Sequence, residues 1–214
     1  RQIKYDTDMD FKPVTLLSNE TVCNDITLLT FQEDIDVKAG EFVFLWIPGL
    51  GEKPFSALCD KPLTLVAIDV GEFTKELMTL APGAKTYIRG PHGQAVTPGP
   101  DQTVIAVAGG TGLAAVYQIA RDFPGAEIFT GARTAERLYY LDECHKIANV
   151  HVATDDGTAG FEGRVTEDLA QYLANLDPAA LKNLVFYNCG PEPMVHAAID
   201  VQRRFVTEDQ IFSA

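Results

Sequence analysis

The sequence has little positive charge. It sets 17 Lys and Arg against 30 Asp and Glu, for a formal net charge of -13. The basic residues are scattered, so no basic stripe is present to neutralise phosphates along a nucleic acid, and nucleic acid is not an expected partner. The acidic excess reads first as a solubilising surface and second as a field that could steer a basic partner. Long apolar runs are also lacking. The longest, residues 42–48 and 104–108, are strand-sized and far short of the roughly 20 residues a membrane helix needs, so no membrane span is expected. Cysteine is sparse: Cys23, Cys59, Cys144 and Cys189 include no C-x-x-C pair, and no zinc or iron–sulfur site can be read within these residues. Free thiols point to a reducing cytoplasm. His92, His145, His151 and His196 show no metal spacing, so no metal ligand is assigned. There is no initiator Met and no apolar h-region, and residues 1–10 read as a charged leader rather than a signal peptide.

What is present is ordinary globular material: 46% hydrophobic and 22% charged residues, in a length of 214 that two modest cores can fill. From residue 14 to 89 the chain runs as short β-rich segments, 26–31, 42–47, 54–58, 63–70 and 86–89, separated by turn residues. This predicts a small antiparallel barrel. One helical stretch, residues 73–80, interrupts it and is stopped by Pro82-Gly83. From Thr103 the grammar changes to strand (104–108), helix (113–123), strand (127–131), strand (150–154), helix (165–176), strand (183–188) and helix (194–205), which predicts a parallel sheet covered by helices. Thr97-Pro98-Gly99-Pro100 lies between the two grammars and sets the expected boundary: one domain over residues 1–100, another over 101–214.

Residues 104–108 run straight into Gly109-Gly110-Thr111-Gly112 and then a helix carrying Ala114 and Ala115. Glycines let the backbone turn sharply and approach a ligand, and the helix behind them points free N–H groups at a pyrophosphate. Gly110-x-Gly112-x-x-Ala115 fits the relaxed dinucleotide pattern; a tight strand-to-helix turn with nothing bound is the alternative. The acidic residue expected about 20 residues on is absent, and Gly131-Ala132-Arg133 stands there, which argues for a protein that binds its dinucleotide in a different way. Asp155-Asp156-Gly157 and Cys189-Gly190-Pro191-Glu192-Pro193-Met194 also follow strands, where open α/β sheets place ligands; Cys189 taken alone would read equally as a buried thiol. In the first half, Gly51-Glu52-Lys53-Pro54-Phe55-Ser56 is read as ending a β run, with a cation for a phosphate and a hydroxyl for a ring nitrogen. Gly71-Glu72-Phe73-Thr74 opens the first helix, either as a second pyrophosphate turn or as a simple cap.

Taken in order, these segments resemble the ferredoxin–NAD(P) reductase superfamily over nearly the whole chain, and within it the electron-transfer (FAD/iron–sulfur) subunits of heteromeric dihydroorotate dehydrogenases. The resemblance implies an antiparallel six-stranded FAD-binding barrel followed by a parallel-sheet α/β domain for NAD(H) or NADP(H). Lys53, Pro54, Phe55 and Ser56 stand where the family has Arg-Pro-x-Ser; lysine keeps the charge but loses the bidentate fork. Gly71 and Thr74 match the family's Gly-x-Gly-Thr turn, with Phe73 replacing its second glycine. Gly90 and Gly93 match its Gly-Pro-x-Gly element, Gly109, Gly110, Thr111 and Gly112 its nucleotide loop, and Asp155 and Asp156 its Asp-Asp-Gly segment. Cys189, Gly190 and Pro191 carry the most specific match. By resemblance Ser56 lies near the flavin and Cys189 near the nicotinamide. Arg133 is a nucleotide contact that, with Arg137, leaves NAD against NADP open. The implied activity is that of an NAD(P)H-dependent flavin oxidoreductase relaying electrons to an FMN-bearing catalytic subunit in pyrimidine biosynthesis. A [2Fe–2S] cluster is expected by family on a cysteine-rich tail after a segment like residues 206–213, and its ligands are not in this sequence. Two other readings stay open: a flavin subunit of a hydrogenase or ferredoxin-dependent complex, and a flavin-less nucleotide-binding subunit.

Overall fold

Alternation of inward apolar and outward mixed residues curls the first half of the chain into a closed barrel. In the computed structural model, which describes residues 11–23 and 25–213, the six strands are β1 (Lys12–Cys23), β2 (Ile26–Phe31), β3 (Glu41–Ile47), β4 (Gly51–Asp60), β5 (Leu63–Ile68) and β6 (Lys85–Gly93). They pair antiparallel in the order β1-β2-β5-β4-β3-β6, and β6 returns to β1 to close the ring. On β3, Val43, Leu45 and Ile47 point inward while Phe42, Phe44 and Trp46 face out. The interior is filled by residues such as Leu16, Leu29, Phe31, Leu45, Leu65 and Ile88, and helix α1 (Glu72–Thr79) adds Phe73 and Leu77 to it. The charged leader, residues 1–10, lies outside the described residues.

One expectation about this half needs correction. Lys53-Pro54-Phe55-Ser56 does not end a β run; it lies in the first half of β4, which reaches from Gly51 to Asp60 and takes in the expected strand 54–58. Proline is tolerated there because residues 51–56 of β4 pair with β3, whereas the pairing with β5 begins only at Ala57, so the missing N–H falls on an open edge. The expected strand 86–89 extends as β6 through Gly90-Pro91-His92-Gly93, with a register shift opposite Phe42 and Phe44.

The second half forms a parallel sheet from β7 (Thr103–Gly109), β8 (Glu127–Ala132), β9 (Asn149–Thr154), β10 (Phe161–Glu162), β11 (Leu184–Cys189) and β12 (Ile211–Ser213), in the order β10-β9-β8-β7-β11-β12. The chain moves outward from β7 to β10, then returns to the other side of β7 for β11 and β12. The strand order therefore reverses between β7 and β11, and in open α/β sheets the crevice at the carboxyl ends of such a pair receives ligands. Helices α2 (Leu113–Asp122) and α3 (Leu141–Ile147) pack with Ala106, Ala108 and Ile128 on one face. Helices α4 (Val165–Ala174) and α6 (Glu192–Gln202) pack with Ile105, Val107, Phe129 and Phe186 on the other, and a short α5 (Pro178–Lys182) leads into β11.

Helix α2 joins the two halves. Val116, Tyr117 and Ile119 share one apolar cluster with Ile26, Ala39, Leu58 and Val66 of the barrel. The Gln118 side-chain amide donates to the Val37 carbonyl (2.5 Å), and Arg121 meets Asp60 (2.9 Å). The carboxyl ends of β7 and β11 are thereby held over the open edge of β4.

Candidate cofactor site

The parting of β4 from β5 makes the first element of the site. β5 continues along β2 as far as Ile68, while β4 turns to β3 below Ala57. A cavity of about 760 Å³ fills the gap. Lys53, Pro54, Phe55 and Ser56 line it from β4, Val66 and Ile68 from β5, and Gly71 and Thr74 from the start of α1. Thr111, Gly112, Cys189 and Gly190 close it from the sheet. Residues far apart in sequence and drawn from both halves thus converge on one space.

Each wall has a local cause. The Thr74 hydroxyl accepts from the Val70 N–H (3.1 Å) and donates to the Gly71 carbonyl (3.1 Å), which fixes the turn ahead of α1. Glu72 adds a carboxylate to the same mouth, which an anionic ligand would have to share with Lys53. Arg89 is committed elsewhere: its guanidinium forms a fork with Glu52 (2.6 and 2.8 Å) and lies 4.0 Å over the Phe44 ring, holding the Glu52 carboxyl below the usual range.

At the sheet, β7 ends in a 3-10 turn, Gly110–Gly112, that runs directly into α2. Gly110 has φ +54, and a Cβ there would meet nothing; it is exposed beside Thr111 and Gly112, which line the cavity. Gly112 is different, since a Cβ would run into the Cys189 carbonyl. Gly109 is crowded by Met194 Sδ at 2.6 Å and Pro191 Cδ at 3.1 Å from its Cβ position, so the two loops cross at near backbone contact. Burial pushes the Cys189 thiol up, keeping it protonated at neutral pH; it offers shape and a weak donor rather than a nucleophile.

A second cavity of about 710 Å³ shares Pro54, Phe55, Ser56 and Cys189 with the first, so these residues form the wall between them. Phe42, Val96, Val116, Tyr187 and Phe212 make it largely apolar, and no Lys or Arg lines it.

Other candidates from the sequence stand apart from the first cavity. Gly93 lines the second cavity, and Gly90 lines neither. Arg133, Asp155 and Asp156 gather at the carboxyl ends of β8 and β9, where the Asp156 N–H donates to the Arg133 carbonyl (3.3 Å). The Asp156 carboxylate accepts from the Thr158 hydroxyl (2.6 Å) and N–H (3.1 Å), which hold it below the usual carboxylate range. Arg137 meets Asp25 (3.4 Å). Pro191 packs at Gly109 and caps α6. Sequence reasoning did not find Val66, Ile68, Phe42 and Tyr139. The first three carry no motif, and the buried Tyr139, whose hydroxyl reaches the Gly110 carbonyl (3.3 Å), reads in sequence as ordinary core.

The donor set fits two nucleotide cofactors: a split barrel wall with one cation and a fixed turn, facing a glycine turn whose open side is unobstructed. Among the described residues no group of three or more His, Cys, Asp or Glu is placed to hold a metal ion, and no helix is long and apolar enough to cross a membrane.

This barrel-and-parallel-sheet arrangement is the ferredoxin reductase-like fold. It superimposes on a ferredoxin reductase in carbazole 1,9a-dioxygenase with TM-score 0.81 at 20% identity, covering 95% of this chain and 68% of that one. It also matches a ferredoxin NADP+ reductase from Neisseria gonorrhoeae, a structure with bound FAD and NADP, with TM-score 0.78 at 16% identity, covering 95% and 98%. The family described as Oxidoreductase NAD-binding domain matches residues 106–200. Among relatives, the probable dihydroorotate dehydrogenase B (NAD(+)) electron transfer subunit of Methanocaldococcus jannaschii is 36% identical over 200 residues, 91% of this chain and 75% of that protein. Its counterpart from Thermococcus kodakarensis is 33% identical over 195 residues, 89% and 79%. The chain belongs to the family of dihydroorotate dehydrogenase B electron transfer subunits.

Proposed function

We propose that this chain is the electron-transfer subunit of a cytoplasmic dihydroorotate dehydrogenase in pyrimidine biosynthesis, an NAD(H)-dependent flavin oxidoreductase working with an FMN-bearing catalytic subunit. The observation that supports it most is the single cavity on which the β4 wall and the β7–β11 crevice converge. FAD held there would supply the hydride exchange with NAD(H) and the onward transfer of electrons to a partner.

FAD is assigned to the barrel half, residues 1–100, and the dinucleotide to residues 101–214. Lys53 and the Gly71–Thr74 turn hold the FAD pyrophosphate by charge and by backbone N–H groups, with Phe55 and Pro54 giving a rigid surface and Ser56 a hydroxyl toward the ring system. Gly90 and Gly93 shape the β6 bulge that backs this wall. The turn Gly109, Gly110, Thr111 and Gly112 receives the dinucleotide pyrophosphate. Arg133, Asp155 and Asp156 serve its adenosine half. Cys189, Gly190 and Pro191 set the nicotinamide end against β4, where the protonated thiol orients and excludes water. The second cavity, behind Pro54, Phe55 and Ser56, is the side on which an acceptor approaches. No cluster ligand set is found among the described residues, so no step is assigned to a [2Fe–2S] cluster here.

The test is direct. The purified protein should carry flavin absorbance that NADH bleaches, and with its catalytic subunit it should couple dihydroorotate oxidation to NAD+ reduction. A colourless protein that takes up no FAD would contradict the reading.

A further inference from the structure

We propose that Tyr139 is a positioning residue for the dinucleotide, its hydroxyl fixing the Gly110–Thr111 peptide so that the Thr111 N–H is presented to the pyrophosphate. The inference rests on the reading above that the Gly110–Gly112 turn receives a dinucleotide.

Gly110 is the pivot of that turn. At φ +54, with open space where a Cβ would stand, nothing of its own limits its backbone, and glycine moves between positive and negative φ at little cost. A cradle for an anion needs the opposite property, since N–H groups that must reorient on binding lose affinity to that reorganisation. Two donors hold the Gly110 carbonyl back toward the protein: the Leu113 N–H of the 3-10 turn and the Tyr139 hydroxyl at 3.3 Å. The peptide is planar and trans, so fixing that carbonyl sends the Thr111 N–H the other way, and Thr111 lines the cavity. Tyr139 is only 6% exposed, and burial pushes its hydroxyl up, so it stays a donor.

An independent feature aims this side chain. The next residue, Tyr140, has φ 59 and ψ 16 and is the non-glycine residue with positive φ among the described residues. An aromatic residue holds that conformation only where its surroundings over-determine it. Here the Tyr140 ring packs edge-on against Tyr117 of α2, centroids 5.0 Å apart at 84°. The kink lets two consecutive side chains serve the same helix, Tyr140 along its body and Tyr139 at the turn that begins it. A backbone strained next to a buried hydroxyl on the nucleotide turn is a geometry that packing alone does not require.

Tyr139→Phe removes the hydroxyl and keeps the ring. The binding of NADH and of ADP-ribose should weaken roughly three- to tenfold, the range for one lost hydrogen bond, while adenosine, which lacks the pyrophosphate, binds as before. KM for NADH should rise while the limiting rate of flavin reduction changes by less than about twofold, flavin content should stay at the wild-type value, and the melting temperature should fall by no more than about 6 °C. Equal losses for adenosine and ADP-ribose would show general loosening and overturn the proposal. Unchanged NADH affinity would overturn it too, with wild-type NADH binding leaving the functional reading intact. A wild-type protein that binds no NADH would refute that reading itself, and the proposal with it.

Discussion

The two central glycines of the nucleotide turn make opposite demands, and alanine at each separates ligand approach from packing. At Gly112 a methyl group would overlap the Cys189 carbonyl, a backbone atom at the end of β11 that cannot swing aside. Relief requires the start of α2 to move off the sheet, breaking contacts of Leu113 and Ala114, both nearly fully buried. That places Gly112→Ala at about 3 kcal/mol or more of destabilisation, a fall of about 6–12 °C in melting temperature for a chain of this size. At Gly110 the methyl meets no protein atom, and the cost is that of an L-residue at positive φ, about 1–2 kcal/mol. The same methyl occupies open space beside Thr111, which lines the cavity. If it displaces the pyrophosphate from even one charge-assisted N–H contact, NADH-dependent reduction below saturation should slow about 10- to 100-fold. The assay is anaerobic stopped-flow reduction of the flavin by NADH, with dithionite as a nucleotide-independent control and a thermal melt of each variant. Gly110→Ala should stay folded, keep its flavin, respond to dithionite and be slowed with NADH by that factor, whereas Gly112→Ala should lose stability first. A Gly110→Ala protein reduced by NADH at the wild-type rate would refute the assignment of this turn, and an unperturbed Gly112→Ala would refute the packing argument.

Cys189→Ala should lower the limiting rate of flavin reduction more than it weakens NADH binding, the pattern of lost positioning, and an unchanged limiting rate would leave Cys189 as a packing thiol. Ser56→Trp, which fills the wall shared by the two cavities, should empty the flavin site or shift the flavin spectrum; unchanged flavin content and spectrum would contradict the placement of FAD along β4. Far from the site, burial raises the Glu127 carboxyl, but hydrogen bonds from His151 (2.8 Å) and Tyr172 (2.6 Å) outweigh it and hold the group below its ordinary value. Its stabilisation is therefore complete above the unfolded value of about 4.3 and is lost as pH falls through the lower folded value. Glu127→Gln should flatten the acid limb of stability in urea melts at stepped pH, and an acid limb as steep as wild type would refute this.

Much of the fold is legible because its cause is local. Period-two burial marks residues 26–31 and 42–47, and the change to strand–helix alternation after Thr103 follows from a sheet that must be covered on both faces. β1 is harder to see, since Ser18, Asn19, Glu20 and Thr21 make its second half polar, and β10, α5 and β12 are too short to carry a period. The glycine turn is legible because a strand precedes it and a helix follows. What sequence does not carry is register. Nothing local says that β4 leaves β5 at Ala57, yet that parting opens the cavity and makes Lys53-Pro54-Phe55-Ser56 its wall. Nor does a Tyr-Tyr pair signal that one hydroxyl meets a glycine carbonyl 29 residues earlier in the chain.

The central claim is that one cavity brings a barrel-bound flavin and a sheet-bound nicotinamide together. An anaerobic titration of the purified, FAD-loaded chain with NADH tests it most directly. Full bleaching of the flavin is expected at one equivalent of NADH per FAD, reached about 10- to 100-fold more slowly in Gly110→Ala. A protein that holds FAD yet is bleached by dithionite and not by NADH would contradict it.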